Sequence, residues 1–256
     1  MRIAVVGANG RTGTLTRVAL ERAGHDVVPI GRSYGIDVLS GEGLADAFTG
    51  VEAVVDVTNS TAVEEEETVR FFTTATRNLL AAERTAGVGH HIVLTIAGLG
   101  KVKGNAHYVG KRAQEAEVEA GAVPYTIVPA TQFHDFAAMV ASWTEKDGVS
   151  PIAPLLIQPI APSDVAAVLA RVAVGPAQGR HADIAGPDPQ DLVDMARRTH
   201  LARGQNIALR PSWENGIFDV SMAGNILLPA APEIAPTSFD DWLDGEATRI
   251  EQQDID

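Results

Sequence analysis

Cysteine is missing from the chain. That excludes disulfides, thiolate catalysis and any cysteine-ligated metal site, and nothing in the sequence calls for an oxidising compartment. Positive charge is scarce. Twenty Lys and Arg stand against 33 Asp and Glu, a net charge of −13, the opposite of the clustered cations that hold nucleic acid. Long apolar runs are lacking too. None approaches the ~20 residues of a membrane-spanning helix, and the apolar start Ile3 to Val6, broken by Gly7, is too short for the core of a signal peptide. The sequence therefore reads as soluble and cytoplasmic, with no membrane or nucleic-acid partner. Seven histidines are present but scattered, with no helical histidine pair beside a carboxylate, so no metal site is expected.

What is present is a 256-residue chain with 45% apolar residues, long enough to bury a sizeable core and too apolar for wholesale disorder. Its first 130 residues alternate short β-branched runs with amphipathic stretches. Strands are expected at Ile3–Val6, Val27–Ile30, Ile36–Val38, Ala53–Val57, Ile92–Ile96 and Tyr125–Val128. Helices are expected at Thr14–Ala23, Gly43–Phe48, Glu64–Arg84 and Lys111–Ala120. Such alternation predicts an α/β fold, a Rossmann-like doubly wound parallel sheet with helices on both faces. Beyond 130 prolines accumulate and the pattern loosens. Helices are expected at Val165–Val172, capped by Ser163 or Asp164, at Asp191–Leu201, and around Phe239–Leu243. We expect one domain over 1–256: a nucleotide-binding core at about 1–132 and a substrate-side portion at about 133–256 that contributes some core elements.

Gly7-Ala8-Asn9-Gly10-Arg11-Thr12-Gly13 stands where the first strand turns into the first helix. Glycines there permit a tight turn, let backbone approach a pyrophosphate, and allow close helix–sheet packing. The helix N-terminus then meets the phosphates. A bare glycine pattern is weak evidence, but its place after a strand and before a helix strengthens it. Residues 1–35 carry five arginines against two acids, a basic corner on an acidic chain. NAD binders usually end the second strand with an acid that accepts from the ribose 2′-hydroxyl. Here that place holds Gly31-Arg32-Ser33, and an arginine pairs instead with a 2′-phosphate. The expected cofactor is NADP(H), with Arg32 and Ser33 on the 2′-phosphate and Arg11 as a further candidate.

Gly31 to Gly35 also matches the hydrolase elbow G-x-S-x-G. That motif needs a helix directly after its serine, and Ile36-Asp37-Val38 reads as a strand, so hydrolysis at Ser33 is disfavoured.

The glycine turn, Asp56-Val57-Thr58-Asn59, Leu94-Thr95-Ile96-Ala97-Gly98, Pro124 to Phe133, Gln158 to Ala166 and the closing Phe239 to Leu243 together resemble an atypical short-chain dehydrogenase/reductase of the NmrA-like, NAD(P)H-binding type. The resemblance covers nearly the whole chain. It implies a reductase acting on a small carbonyl, enone or quinone, although some relatives bind the cofactor without turnover and act as redox sensors. It also implies Asp37 near the adenine, Thr58 and Asn59 near the ribose and pyrophosphate, and Pro129, Ala130, Thr131 and Gln132 near the nicotinamide. The family's chemistry uses a tyrosine four residues before a lysine that holds the ribose, with a hydroxyl residue after the fifth strand. Lys111 and Thr95 fit. Four before Lys111 stands His107, and Tyr108 lies three before. Two potential cations one helical turn apart favour a neutral imidazole, a poor proton source. Three readings stay open: Tyr108 as proton donor, His107 as proton donor, or no protein acid. Phe133, His134, Phe136 and Trp143 follow the sixth strand and are candidate walls for a small-molecule substrate, with a core role as the alternative for the three aromatics Phe133, Phe136 and Trp143. Substrate identity and oligomeric state are not readable from the sequence.

Overall fold

The structure, a computed structural model, describes residues 1–214 and 217–253, with backbone alone from 247 onward. In chain order its elements are β1 (Arg2–Val6), α1 (Arg11–Arg22), β2 (Asp26–Ile30), α2 (Leu44–Ala47), β3 (Ala53–Asp56), α3 (Glu65–Ala86), β4 (His90–Ile96), α4 (Ala106–Ala120), β5 (Tyr125–Ala130), α5 (Phe136–Thr144), β6 (Val149–Ile152), β7 (Leu156–Ile157), α6 (Pro162–Ala173), β8 (Gly179–Arg180), β9 (Ile184–Ala185), β10 (Gln190–Asp191), α7 (Leu192–Ala202), β11 (Ala208–Pro211), β12 (Glu233–Ile234) and α8 (Phe239–Gln253). They form two units, Met1–Ala130 with Pro162–Ala182, and Thr131–Ala161 with Asp183–Asp256.

The first unit is a parallel sheet in the order β2-β1-β3-β4-β5, with β8 beside β5. Ile3 to Val6, Ala53 to Val55, Ile92 and Val93 are fully buried, as unbroken apolar runs must be when helices cover both faces of a sheet. Helix α1 packs with α6, and α3 with α4. The second contact depends on Gly110, where an added Cβ would lie 2.4 Å from Thr68 Cγ2 and 2.8 Å from Phe72 Cδ2. The chain leaves β1 toward β2 on one side and returns to β3 on the other. In open α/β sheets such a reversal of strand order marks the carboxyl-end position where ligands bind.

Two expectations need correction. No strand forms at Ile36–Val38. Asp37 folds its carboxylate back to accept from Leu39 N at 2.9 Å, a local bond that competes with a sheet ladder, and Gly35, Gly41 and Gly43 hold positive φ around it. Helix α4 starts at Ala106 rather than Lys111, because Asn105 Oδ1 caps it by accepting from His107 N and Tyr108 N. Smaller shifts follow similar logic. Helix α1 begins at Arg11, and α6 begins on Pro162, a favoured first helical residue because its missing N–H would go unpaired there anyway. That puts Ser163 and Asp164 inside the first turn of α6 rather than at its cap.

In the second unit β6 runs parallel to β11, β7 antiparallel to β10, and β9 parallel to β12. Helix α5 packs on α7 and β6, and α7 on α8. Asp191 caps α7 through Asp194 N. The last helix docks by Phe239 and Trp242, both buried.

Candidate functional site

The glycine turn takes the shape its spacing implies. Gly7 and Ala8 donate to Ile30 O at 3.1 and 3.2 Å, and Gly10 N closes onto Gly7 O at 2.9 Å. Gly7 has φ +80, a conformation glycine tolerates best. A Cβ on Gly13 would lie 2.2 Å from Gly7 O, and one on Gly10 3.3 Å from the same oxygen. Helix α1 then starts at Arg11, with Gly10 at its N-cap, no side-chain cap and no acid in its first turn. A helix N-terminus left bare of both, behind a turn too tight for side chains, fits an anionic pyrophosphate.

At the end of β2 the chain makes a single 3-10 turn, Arg32–Tyr34. Arg32 and Ser33 are exposed. Asn9 Nδ2 donates to Ser33 Oγ, tying this turn to the glycine turn. Arg17, one of the five arginines of the basic corner, joins in: its Nη1 donates to Tyr34 Oη at 3.0 Å. Ser33 lies inside this 3-10 turn and the next α-helix starts only at Leu44, so the elbow alternative lacks its scaffold. Arg11 and Asn59 are exposed, Thr12 and Asp37 half-buried.

The ends of β3 and β4 and the first turns of α4 carry the other candidates of this unit. Thr58 and Thr95 are buried, and their hydroxyl oxygens have no hydrogen-bond partner among the described residues. Buried hydroxyls are rarely left so, and the pair fits a site completed by the polar groups of a bound nucleotide. Lys111 is buried and not a solvated helix lysine. Its ammonium donates to Thr58 O and Leu94 O, both at 3.1 Å, and to Gln114 Oε1 at 2.8 Å, and lies 4.6 Å from the Phe72 ring centre. Three donors are all an ammonium has. Burial lowers its pKa to about 8, against the opposing pull of Asp56 and Glu115. His107 is half-buried and also lies beside Phe72, with ring centres 5.8 Å apart. Its pKa falls to about 4, first through burial and second through Lys111; the repulsion expected from spacing is the smaller cause. Tyr108 is buried at 6% exposure. All three residues lie within α4. Pro129 and Ala130 are buried in β5, where Ala97 N donates to Ala130 O at 2.8 Å.

The remaining candidates belong to the second unit. Thr131 N donates to Ile184 O at 3.0 Å, and Ile160 N to Gln132 O at 2.9 Å. Phe133 bridges to Ile160. His134 is fully buried. Its Nε2 is 3.1 Å from Thr237 O, and its ring packs on Phe239 and Trp242 at 5.6 and 5.7 Å. This enclosure gives His134 a packing role in the unit's core. Phe136 contacts Trp143 and Phe218 at 6.4 and 5.9 Å, and Trp143 stays 57% exposed. Among the described residues no cluster of side chains could hold a metal ion, and no helix is long and apolar enough to cross a membrane.

Sequence reading missed Asp56 and Gln114. Asp56 Oδ2 accepts from Gln114 Nε2 at 2.9 Å, and its Oδ1 from Thr58 N at 2.8 Å. A lone carboxylate inside the apolar run Ala53–Val57 was the available signal.

Comparison with known proteins places the fold and the family. The model of a family described as NAD(P)H-binding matches residues 30–176, a span that begins after the glycine turn. No curated protein sequence matches the chain. Among solved structures, the triphenylmethane reductase of Citrobacter sp., complexed with NADP(H), shares 18% identity at a TM-score of 0.63, over 83% of this chain and 79% of that one. An NADPH-dependent quinone oxidoreductase from Escherichia coli, complexed with NADPH, shares 19% at 0.63, over 82% and 78%. A short-chain dehydrogenase/reductase superfamily protein from Agrobacterium tumefaciens with bound NAD shares 17% at 0.73, over 99% and 98%. At these identities the likeness is one of fold.

Proposed function

Because the chain belongs to the NAD(P)H-binding family, we propose that it is an NADP(H)-dependent oxidoreductase of the atypical short-chain dehydrogenase/reductase type. It delivers hydride to a small carbonyl, enone or quinone, with quinones and strongly activated alkenes favoured. The observation that carries this choice is the acid position. His107, with its pKa near 4, is neutral at pH 7 and protonates nothing readily, and the Lys111 ammonium is fully engaged by protein acceptors. An acceptor that takes hydride without concerted strong-acid help suits such a site, because its anionic product is stable enough to collect a proton from solvent afterwards.

The bound nicotinamide supplies the hydride. The residues of the chain bind and orient. The Gly7–Gly13 turn and the start of α1 hold the pyrophosphate, Arg32 and Ser33 the 2′-phosphate, Asp37 borders the adenine, and Thr58 and Asn59 border the ribose and pyrophosphate. Thr95 and Tyr108 stay as hydroxyl candidates near the reacting centre. The structurally similar quinone and triphenylmethane reductases support this reading by fold.

The direct test is NADPH oxidation, followed by absorbance, against a panel of quinones, enones and simple ketones. Quinones and enones are expected to turn over and simple ketones to lag by at least about tenfold, since ketones depend more on a concerted acid. Silence across the panel with NADPH binding intact would instead favour a cofactor-sensing regulator.

Two further outcomes are expected. Arg32→Ala should weaken NADPH by about 10- to 100-fold, ~1.5–3 kcal/mol, as a charge-assisted contact does, and leave NADH nearly untouched. Wild-type binding of NADH as tight as NADPH would overturn the 2′-phosphate role. Second, the rate should fall as pH rises through about 8, where Lys111 loses its proton, with no inflection from His107 between about pH 5 and 7. A limb near 6.5 that vanishes in His107→Gln would show an imidazole at work.

A further inference from the structure

We infer that Asp56 and Gln114 are positioning residues for the cofactor's phosphate site, acting through the backbone of Thr58; the inference rests on the proposed reading that the Gly7–Gly13 turn holds a dinucleotide.

Four residues close a ring of hydrogen bonds. Thr58 N donates to Asp56 Oδ1 at 2.8 Å. Asp56 Oδ2 accepts from Gln114 Nε2 at 2.9 Å. Gln114 Oε1 accepts from Lys111 Nζ at 2.8 Å, and Nζ returns to Thr58 O at 3.1 Å. Both polar backbone groups of one residue are thus gripped by a single buried chain. Asp56 and Gln114 are fully buried, so water does not compete for these bonds and each is stronger than at a surface.

What Thr58 does with this grip follows from its neighbours. Val57 N donates to Val6 O at 3.1 Å, joining the segment to the last residue of β1. The next residue is Gly7. A Cβ there would meet Val57 O at 3.1 Å and Thr58 N at 3.4 Å. The Val57–Thr58 backbone is therefore the wall against which the phosphate turn packs, and the ring sets the position of that wall. It also fixes where the unpartnered Thr58 hydroxyl lies.

The ring has a direction. An amide at 114 donates to a carboxylate on one side and accepts from an ammonium on the other. A carboxylate at 114 keeps the acceptor for Lys111 but sets two carboxylates against each other. Adding Asp56→Asn restores every bond. The new amide donates to the new carboxylate, its oxygen still accepts from Thr58 N, and the net charge is unchanged.

The test measures NADPH binding to the full chain by fluorescence titration. Gln114→Glu is expected to weaken binding about tenfold, and Asp56→Asn with Gln114→Glu to recover to within about threefold of wild type. Unchanged binding in the single variant, or a double variant as weak as the single, overturns the inference. If the single variant does not fold, the double variant decides: near wild-type affinity supports the ring, and a tenfold loss overturns it. The readout is binding, so a chain that holds NADPH without turnover, which would sink the reductase reading, still shows the loss and the rescue. A side chain that merely filled volume would not be rescued by moving a charge along the ring.

Discussion

Gly13→Ala should cost the protein its cofactor, with NADPH affinity falling by about a hundredfold or more, the penalty that a displacement near 1 Å brings to a site built on position. The added methyl would lie 2.2 Å from Gly7 O, 2.8 Å from Gly7 C and 2.9 Å from Ala8 Cα. All three are backbone atoms, so no side chain can swing aside. Either α1 lifts off the turn or the turn opens, and both carry the helix N-terminus away from the phosphates. Overpacking of this kind also costs about 1–3 kcal/mol of stability. Two neighbours calibrate the claim. Gly10→Ala meets the same oxygen at 3.3 Å, a clash that a few tenths of an ångström relieve, so its loss should be several-fold smaller. Gly24→Ala has φ +82 and nothing within 4 Å, so it should destabilise by roughly 1 kcal/mol through backbone strain and leave NADPH binding alone. Fluorescence titration of the three variants reads the order directly. Gly13→Ala binding within threefold of wild type would remove the turn from the phosphate site.

That turn was the most legible part of the chain, because glycine spacing, strand and helix all constrain the same few backbone atoms. The doubly wound sheet was legible for a related reason: strands buried on both faces write themselves as unbroken apolar runs such as Ile3–Val6. Illegible features were those decided by a side chain turning back on its own backbone. Asp37 replaced an expected strand with a turn, and Asn105 moved the start of α4 by five residues, from Lys111 to Ala106. The position of Lys111 in the sequence pointed to a cofactor lysine. Its three protein acceptors lie just past β3, on β4 and on α4, partners that only the fold brings together, and the ring through Asp56 and Gln114 was hidden with them. His134 shows the same kind of hidden partner: Phe239 and Trp242, over a hundred residues away in sequence, enclose a histidine that follows β5.

The second large expected effect lies in the buried pair Glu83 and His91, eight residues apart across the turn from α3 to β4. Both side chains are fully buried, and His91 Nδ1 lies 2.9 and 3.0 Å from the two carboxylate oxygens. Burial alone would drive the imidazole neutral. The charge and hydrogen bond of Glu83, with help from Asp56, outweigh it and raise the His91 pKa. A base whose folded pKa lies above its unfolded value stabilises the fold fully below the unfolded pKa, about 6.5, and loses that contribution as pH rises through the folded value. Removing one partner of a buried pair strands the other. Glu83→Gln should therefore cost about 3 kcal/mol near pH 6, the lower end for such pairs because His91 can shed its proton. Lys111 acts with the opposite sign. Its pKa, lowered to about 8, makes stability rise with pH above that value, so the wild-type curve alone mixes two effects. Lys111 is common to both proteins and cancels in the difference between wild type and Glu83→Gln. That difference, from urea unfolding between about pH 5.5 and 9, should be largest at the acid end and shrink as His91 loses its proton in the wild type. A gap constant across that range would mean that His91 is neutral throughout and that the pair is an ordinary hydrogen bond.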